Sequence, residues 1–177
     1  MPNVKNFRDA VLTIKDGSGT PKTLVVSVAE GNLSFTVKKP TFTIRNRGKI
    51  IARKEGNEEE MDVSFSVKFE QWSADTASTG LSVPDVLLQK GNTIGQTPAT
   101  NNWVNTDTQG CAPWAVDLEF KIFKTCDQTA TGDYETIVLP KFHATEVKFN
   151  EGEEANMIEV TGTCLAFEPT RTYTDVP

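Results

Sequence analysis

Cysteine, tyrosine and histidine are scarce in this chain, with three, two and one copies in 177 residues. Three cysteines cannot build a disulfide framework. Cys111 and Cys126 flank a candidate hairpin strand and could meet, Cys164 reads as a small buried residue, and in a reducing compartment free thiols are the default. Zinc wants about four nitrogen or sulfur ligands at recurrent spacing. Three scattered cysteines and His143 do not supply them, so neither metal nor cofactor is expected. Long apolar runs are also missing. Leu24-Val25-Val26 is typical of what exists and is far too short to span a bilayer. The first ten residues lack the apolar core of a secretory signal. The chain therefore reads as a protein made in a cytoplasm, without a membrane partner.

An excess of positive charge is lacking too. With 24 acidic against 18 basic residues the formal net charge is −6. That balance opposes tight binding to phosphate backbones, which needs grouped Lys and Arg. It still permits a surface past which DNA slides. The length suits one domain with a real core.

What the chain does have is alternation. In Met61–Glu70, Val63, Phe65, Val67 and Phe69 fall on one face, and Asp62, Ser64, Ser66, Lys68 and Glu70 on the other. This period of two marks a half-buried strand. The same pattern recurs in residues 33–37, 115–123 and 144–149, and residues 10–15, 22–29 and 157–167 also read as strands. Residues 134–139 form a further strand that Pro140 is expected to break. Asp16-Gly17-Ser18-Gly19 is turn chemistry, and a phosphate loop would need a third glycine and a following helix. One helix is expected after Trp72, of two or three turns. Ser82 caps it, Pro84 sits in its first turn with Asp85, Val86-Leu87-Leu88 supply the apolar stripe, and Lys90-Gly91 close it. Residues 92–110 are loop chemistry around Trp103, which could anchor a ligand or plug a core edge. Residues 168–177 read as a loose tail.

Residues 38–60 break the pattern. Lys38, Lys39, Arg45, Arg47, Lys49, Arg53 and Lys54 make the segment basic, and it ends in Glu58-Glu59-Glu60. One reading is a long polar loop or splayed hairpin with solvated charges. The other is an arm that docks on a neighbour through complementary charge. Nucleic-acid binding is a third reading, which the adjacent glutamates weaken.

Catalysis finds little support. Asp117 and Glu119 share a strand face at roughly 6.5–7 Å between Cα atoms, a spacing compatible with glycoside chemistry. Solvated carboxylates on a strand are far commoner. His143 has no nucleophile near it in sequence, and no Gly-x-Ser-x-Gly elbow exists. A carbohydrate-binding sandwich would place aromatics on polar faces, whereas Trp72, Trp103 and Trp114 sit at strand ends or in loops. The residues thus describe a mainly β protein: an antiparallel sandwich or barrel with one short flanking helix and a long charged arm.

The order of these elements resembles the major tail tube proteins of long-tailed bacteriophages. The resemblance is carried by Leu12 to Pro21, Val28 to Phe35, Asp62 to Phe69, the Cys111-Ala112-Pro113 turn with Asp117 to Phe120, and Leu139 to His143. It spans about residues 10–167, and no single motif in it is specific. It implies one tail-tube domain over 1–177, similar to the tube protein of type VI secretion. It further implies stacked hexameric rings, a continuous inner barrel, and a channel through which DNA passes without specific binding. The implied partners are other copies of the chain, a tape-measure protein, a tail terminator and baseplate or distal tail proteins. The implied location is the virion tail, assembled in the host cytoplasm.

Within that frame Asp62, Ser64, Ser66, Lys68 and Glu70 are the first candidates to line the channel, and Asp117 and Glu119 the second. Arg45, Arg47, Lys49, Arg53, Lys54, Glu58, Glu59 and Glu60 are the candidates for an inter-ring arm. The competing function is a monomeric or small-oligomer binding module, for capsid decoration or carbohydrate.

Overall fold

The computed structural model describes residues 10–27, 33–68, 82–89, 103–123, 134–151 and 157–174. They form β1 (Ala10–Lys15), β2 (Thr23–Ser27), β3 (Ser34–Thr36), β4 (Thr41–Asn46), β5 (Lys49–Glu55), β6 (Met61–Lys68), α1 (Val83–Leu87), β7 (Val116–Phe123), β8 (Tyr134–Asn150), β9 (Met157–Cys164) and β10 (Thr170–Thr174). The larger sheet runs β2-β1-β7-β8-β9-β6-β3, with β10 also paired to β8, while β4 and β5 pair only with each other. Every pairing is antiparallel.

The 17-residue strand β8 belongs to two layers. Its first half lies between β7 and β10. Its second half pairs with β9. One layer is therefore β2-β1-β7-β8-β10 and the other is β8-β9-β6-β3. Their apolar faces meet in the core. Phe65 of β6 stands edge-on to Phe120 of β7 with ring centroids 6.0 Å apart, and tilts against Phe142 of β8 at 5.8 Å. Leu12, Ile14, Val67, Leu118, Leu139 and Val160 are fully buried around them. The alternation that marks these strands in sequence is the alternation of burial: Met61, Val63, Phe65 and Val67 are inside, and Asp62 and Lys68 are exposed.

Pro140 does not break its strand, contrary to expectation. Leu118 faces Leu139 and Val116 faces Phe142, so Asp117 alone opposes Pro140 and Lys141. This is a β-bulge, with Lys141 at φ 50°. Proline has no N–H to give to a ladder, so a bulge accommodates it at little cost. Here the bulge is the corner where β8 passes from one layer to the other.

Three further expectations change. The segment read as a loose tail contributes β10, whose residues 170–174 pair with β8. The final strand ends at Cys164 rather than Phe167. The helix has only five residues; Ser82 caps it as expected, but Gln89 at φ 53° follows the Leu88 cap and ends it. Phe69, Glu70, Trp72, Lys90, Gly91 and Cys126 lie outside the described residues. Cys111 is exposed with a free thiol, and Cys164 is buried.

The β1–β2 turn is stitched to the 103–115 loop. The buried Asp16 carboxylate accepts the N–H of Lys22 at 2.7 Å and that of Val104 at 3.1 Å. Gly17 lies so close to Asn105 that a Cβ would meet Thr106 Cα at 2.8 Å. That approach, not phosphate binding, is why glycine stands there. Trp103 is buried in the core cluster, so it plugs rather than presents. No helix among the described residues is long and apolar enough to cross a membrane.

Candidate functional site

The β3-β6-β9-β8 layer has one face in the core and one in solvent. Its register sorts the outer face into rows. Thr36, Asp62, Thr163 and His143 align across the four strands, then Ser34, Ser64, Thr161 and Glu146, then Ser66, Glu159 and Lys148. A β-bulge between Ala144 and Glu146 adds Thr145, whose hydroxyl donates to the Thr161 carbonyl at 3.1 Å. Side chains and backbone of Ser34, Thr36, Asp62, Ser64, Thr145 and Thr161 line a shallow depression here.

This face is rich in hydroxyls and carries two ion pairs. Lys38 Nζ lies 2.8 Å from Asp62 Oδ2, and Lys148 Nζ lies 3.6 Å from Glu159 Oε2. The hydrogen bond to Asp62 raises the Lys38 pKa. Such exposed pairs add little stability, but they leave neither a cationic cluster nor an anionic one. The face is near neutral rather than plainly acidic.

Of the first candidates, Asp62, Ser64, Ser66 and Lys68 sit together on this face. The second candidates sit on the other layer and are already engaged. Asp117 Oδ1 accepts the Lys141 N–H at 2.8 Å. Glu119 is ion-paired with Lys15 of β1. His143 is likewise used internally, its Nδ1 hydrogen-bonded to the Trp114 carbonyl at 2.8 Å. Trp114 in turn donates from Nε1 to the Val86 carbonyl at 2.7 Å, which ties α1 to the sheet. No cluster of three or more metal-ligating side chains occurs among the described residues.

Reading one strand at a time missed the rest of the face. Thr161, Thr163 and Glu159 alternate with Ile158, Val160 and Cys164 just as β6 alternates. That signal was in the sequence. The alignment of the two strands was not.

Residues 38–60 form a projecting hairpin. Arg47 at φ 47° and Gly48 at φ 83° make the two-residue turn between β4 and β5, the left-handed pair that suits strand twist. At its root Gly56 donates to the Pro40 carbonyl at 2.8 Å, and Lys39 pairs with Glu55 at 2.8 Å. That hydrogen bond raises the Lys39 pKa and lowers that of Glu55. Arg45, Arg47, Lys49, Arg53 and Lys54 are all exposed on the hairpin, and Glu58, Glu59 and Glu60 are exposed on the link into β6. Phe42, Ile50 and Ile51 are also 51%, 62% and 60% exposed. Attention to charge hides this apolar component. A lone two-stranded hairpin is marginal in water, and this one carries three large apolar side chains in solvent.

No protein-family model matches the chain, and no curated protein does. Among solved structures, it is similar to a chain of the extended-state sheath/tube terminator of an extracellular contractile injection system, PVC. The two are 8% identical, 92% of each chain is covered, and the TM-score is 0.49. It is also similar to a chain of the six-fold symmetrised baseplate of the anti-feeding prophage. That pair is 9% identical over 97% of this chain and 96% of the other, with a TM-score of 0.48. At this level neither likeness decides function.

Proposed function

We propose that this chain is a structural protein of a phage-type tail, which polymerises as stacked rings into a tube whose channel carries DNA. The observation that carries this reading is the pairing of two unlike surfaces on one small domain. One is a broad sheet face of hydroxyls and balanced charges. The other is an exposed hairpin bearing both basic and large apolar side chains. The first suits a wet wall past which a polyanion moves, because phosphate adsorption needs grouped cations in excess. The second suits attachment to a neighbour, because a lone hairpin is marginal in water and gains from being covered.

In this reading Asp62, Ser64, Ser66 and Lys68 face the channel, with Thr161, Thr163 and Glu159 beside them. The hairpin reaches the next ring and sets its basic residues against acidic ones such as Glu58, Glu59 and Glu60 of another copy. The resemblance in element order supplies the six-fold ring, the virion tail as location, and the tape-measure, terminator and baseplate partners. A carbohydrate-binding alternative gains nothing from Trp103, which is buried, or from Trp114, which is committed to α1.

Electron microscopy of the purified protein tests the proposal. Rings or tubes with a central channel are the expected result. A chain that stays monomeric across concentration, salt and temperature overturns it.

A further inference from the structure

The β4–β5 hairpin has no purely polar face. Cross-strand partners share a side, so the register sorts its side chains. Phe42 pairs with Lys54, Ile44 with Ala52 and Asn46 with Lys49, and these lie on one side. Thr43 pairs with Arg53 and Arg45 with Ile50, and these lie on the other. Each side therefore carries two cations and a large apolar side chain that is more than half exposed. Lys49, Lys54 and Phe42 form the first set, and Arg45, Arg53 and Ile50 the second. None of these cations makes an ion pair among the described residues. An antiparallel ribbon laid on one surface keeps apolar side chains below and polar ones above. This ribbon mixes both kinds on both sides.

We propose that the hairpin is a tongue held between two other copies of this chain, one against each side, rather than an arm laid on a single neighbour. The inference rests on the ring reading above and specifies what receives the hairpin. Charge identifies the receiving bodies. Residues 41–55 hold five cations and one carboxylate, Glu55, a net charge of +4, so the rest of the chain carries −10. Two acidic bodies flanking a basic tongue bring opposite charge to both of its sides. A bilayer of anionic lipid offers similar chemistry, but it is one plane. An element lying in that plane buries one face and keeps the other polar.

Two-sided capture changes what the hairpin does. A hairpin on one neighbour only ties two copies together. A hairpin between two neighbours also spans the boundary between them. A lone copy in solution offers half of such a site: it covers Phe42 or Ile50 and leaves the other in water. Two copies already standing side by side offer the whole site, and the second contact then forms at high effective concentration. Stacking and lateral association are thereby coupled, which favours growth on an existing ring over random pairing of free chains.

Photo-cross-linking tests the tongue. A tagged chain carries p-benzoylphenylalanine, itself apolar, in place of Phe42, of Ile50 or of both. It is assembled as a trace component with excess unmodified chain, so that its neighbours are unmodified. On irradiation each single-site chain should give a tagged product of two chains, and the double-site chain should add a product of three. A double-site chain that stops at two, while both single sites cross-link, would put both sides on one copy and overturn the tongue. Cross-links from one site only, or only within the tagged chain, would also overturn it. In fully substituted protein, Phe42→Ser and Ile50→Ser should each abolish tubes at an unchanged monomer melting temperature. Loss of tubes from only one of them would mean that one side alone is covered. Vesicles containing phosphatidylglycerol should not retain the monomer. Retention that is lost when Arg45 and Arg53 become Glu would assign the hairpin to a membrane instead. Tubes that form normally without the three-chain product overturn the tongue and leave the ring reading intact. An unmodified chain that never assembles removes both.

Discussion

Asp117 holds the main-chain N–H of Lys141 on its side chain at 2.8 Å, across the corner of the sandwich. That bond gives the Lys141 N–H, at the bulge beside Pro140, a partner outside the ladder. Lys141 adds a second tie, from Nζ to the buried Asp107 carboxylate at 3.2 Å. Asp117→Ala should cost about 1–3 kcal/mol, the penalty of an orphaned donor. Asp117→Asn keeps an acceptor and should cost much less. Chemical denaturation of both variants measures the difference. Equal losses would mean that the carboxylate charge, not the hydrogen bond, holds the corner.

The core should be intolerant where the layers touch. Phe65→Ala and Phe120→Ala should each lose roughly 3–5 kcal/mol, the usual range for emptying a buried aromatic site. Gly162→Ala should also destabilise strongly, because a Cβ there meets the Phe142 ring at 2.6 Å and the His143 carbonyl more closely still. Normally melting variants would show that the wrong face has been placed inside.

Cys164 should be inert. Burial first, then the negative charges of Asp117 and Glu60, push its thiol pKa up to about 12 from 9.0. A thiol so held stays protonated and unreactive in the folded chain. Because the folded value is the higher one, its contribution to stability is full below about pH 9 and is lost as pH rises towards 12. A thiol reagent at pH 8.5 should label Cys164 only after unfolding, and Cys164→Ala should flatten the alkaline limb of the stability curve. Rapid labelling of Cys164 in the native state would contradict its burial.

If the hydroxyl face lines a channel, assembly must hide it. Single cysteines at Ser64 and Ser66 should react with a bulky thiol reagent in free subunits. Once tubes form, a reagent too large for the channel should not reach them. Equal labelling before and after assembly would put this face on the outside.

The hairpin should act between copies rather than within one. Converting Arg45, Arg47 and Arg53 to Glu should leave the monomer's melting temperature nearly unchanged and abolish tubes. Assembly of the unmodified protein should weaken with salt, since exposed charge pairs are screened. Normal tubes from the triple variant would refute the arm. Loss of monomer folding would instead show that the hairpin is part of the domain's own stability.

Much of this protein is local and therefore legible in sequence. The period of two in residues 61–68 fixes which side of β6 is buried, because side chains of a strand can only alternate. The Ser82 cap, the turn at Asp16-Gly17 and the antiparallel class follow from equally local chemistry. What needed the tertiary structure is what depends on distant residues. Pro140 looks like a strand end until Asp117, 24 residues away along the chain, offers Lys141 a substitute partner. Residues 170–174 look like a tail until β8 supplies them an edge. Asp117 and Glu119 look like a surface pair until Lys141 and Lys15 occupy them. The channel candidates on β6 could be read from one strand. The four-strand face could not, because register between strands is set by the packing of all of them together.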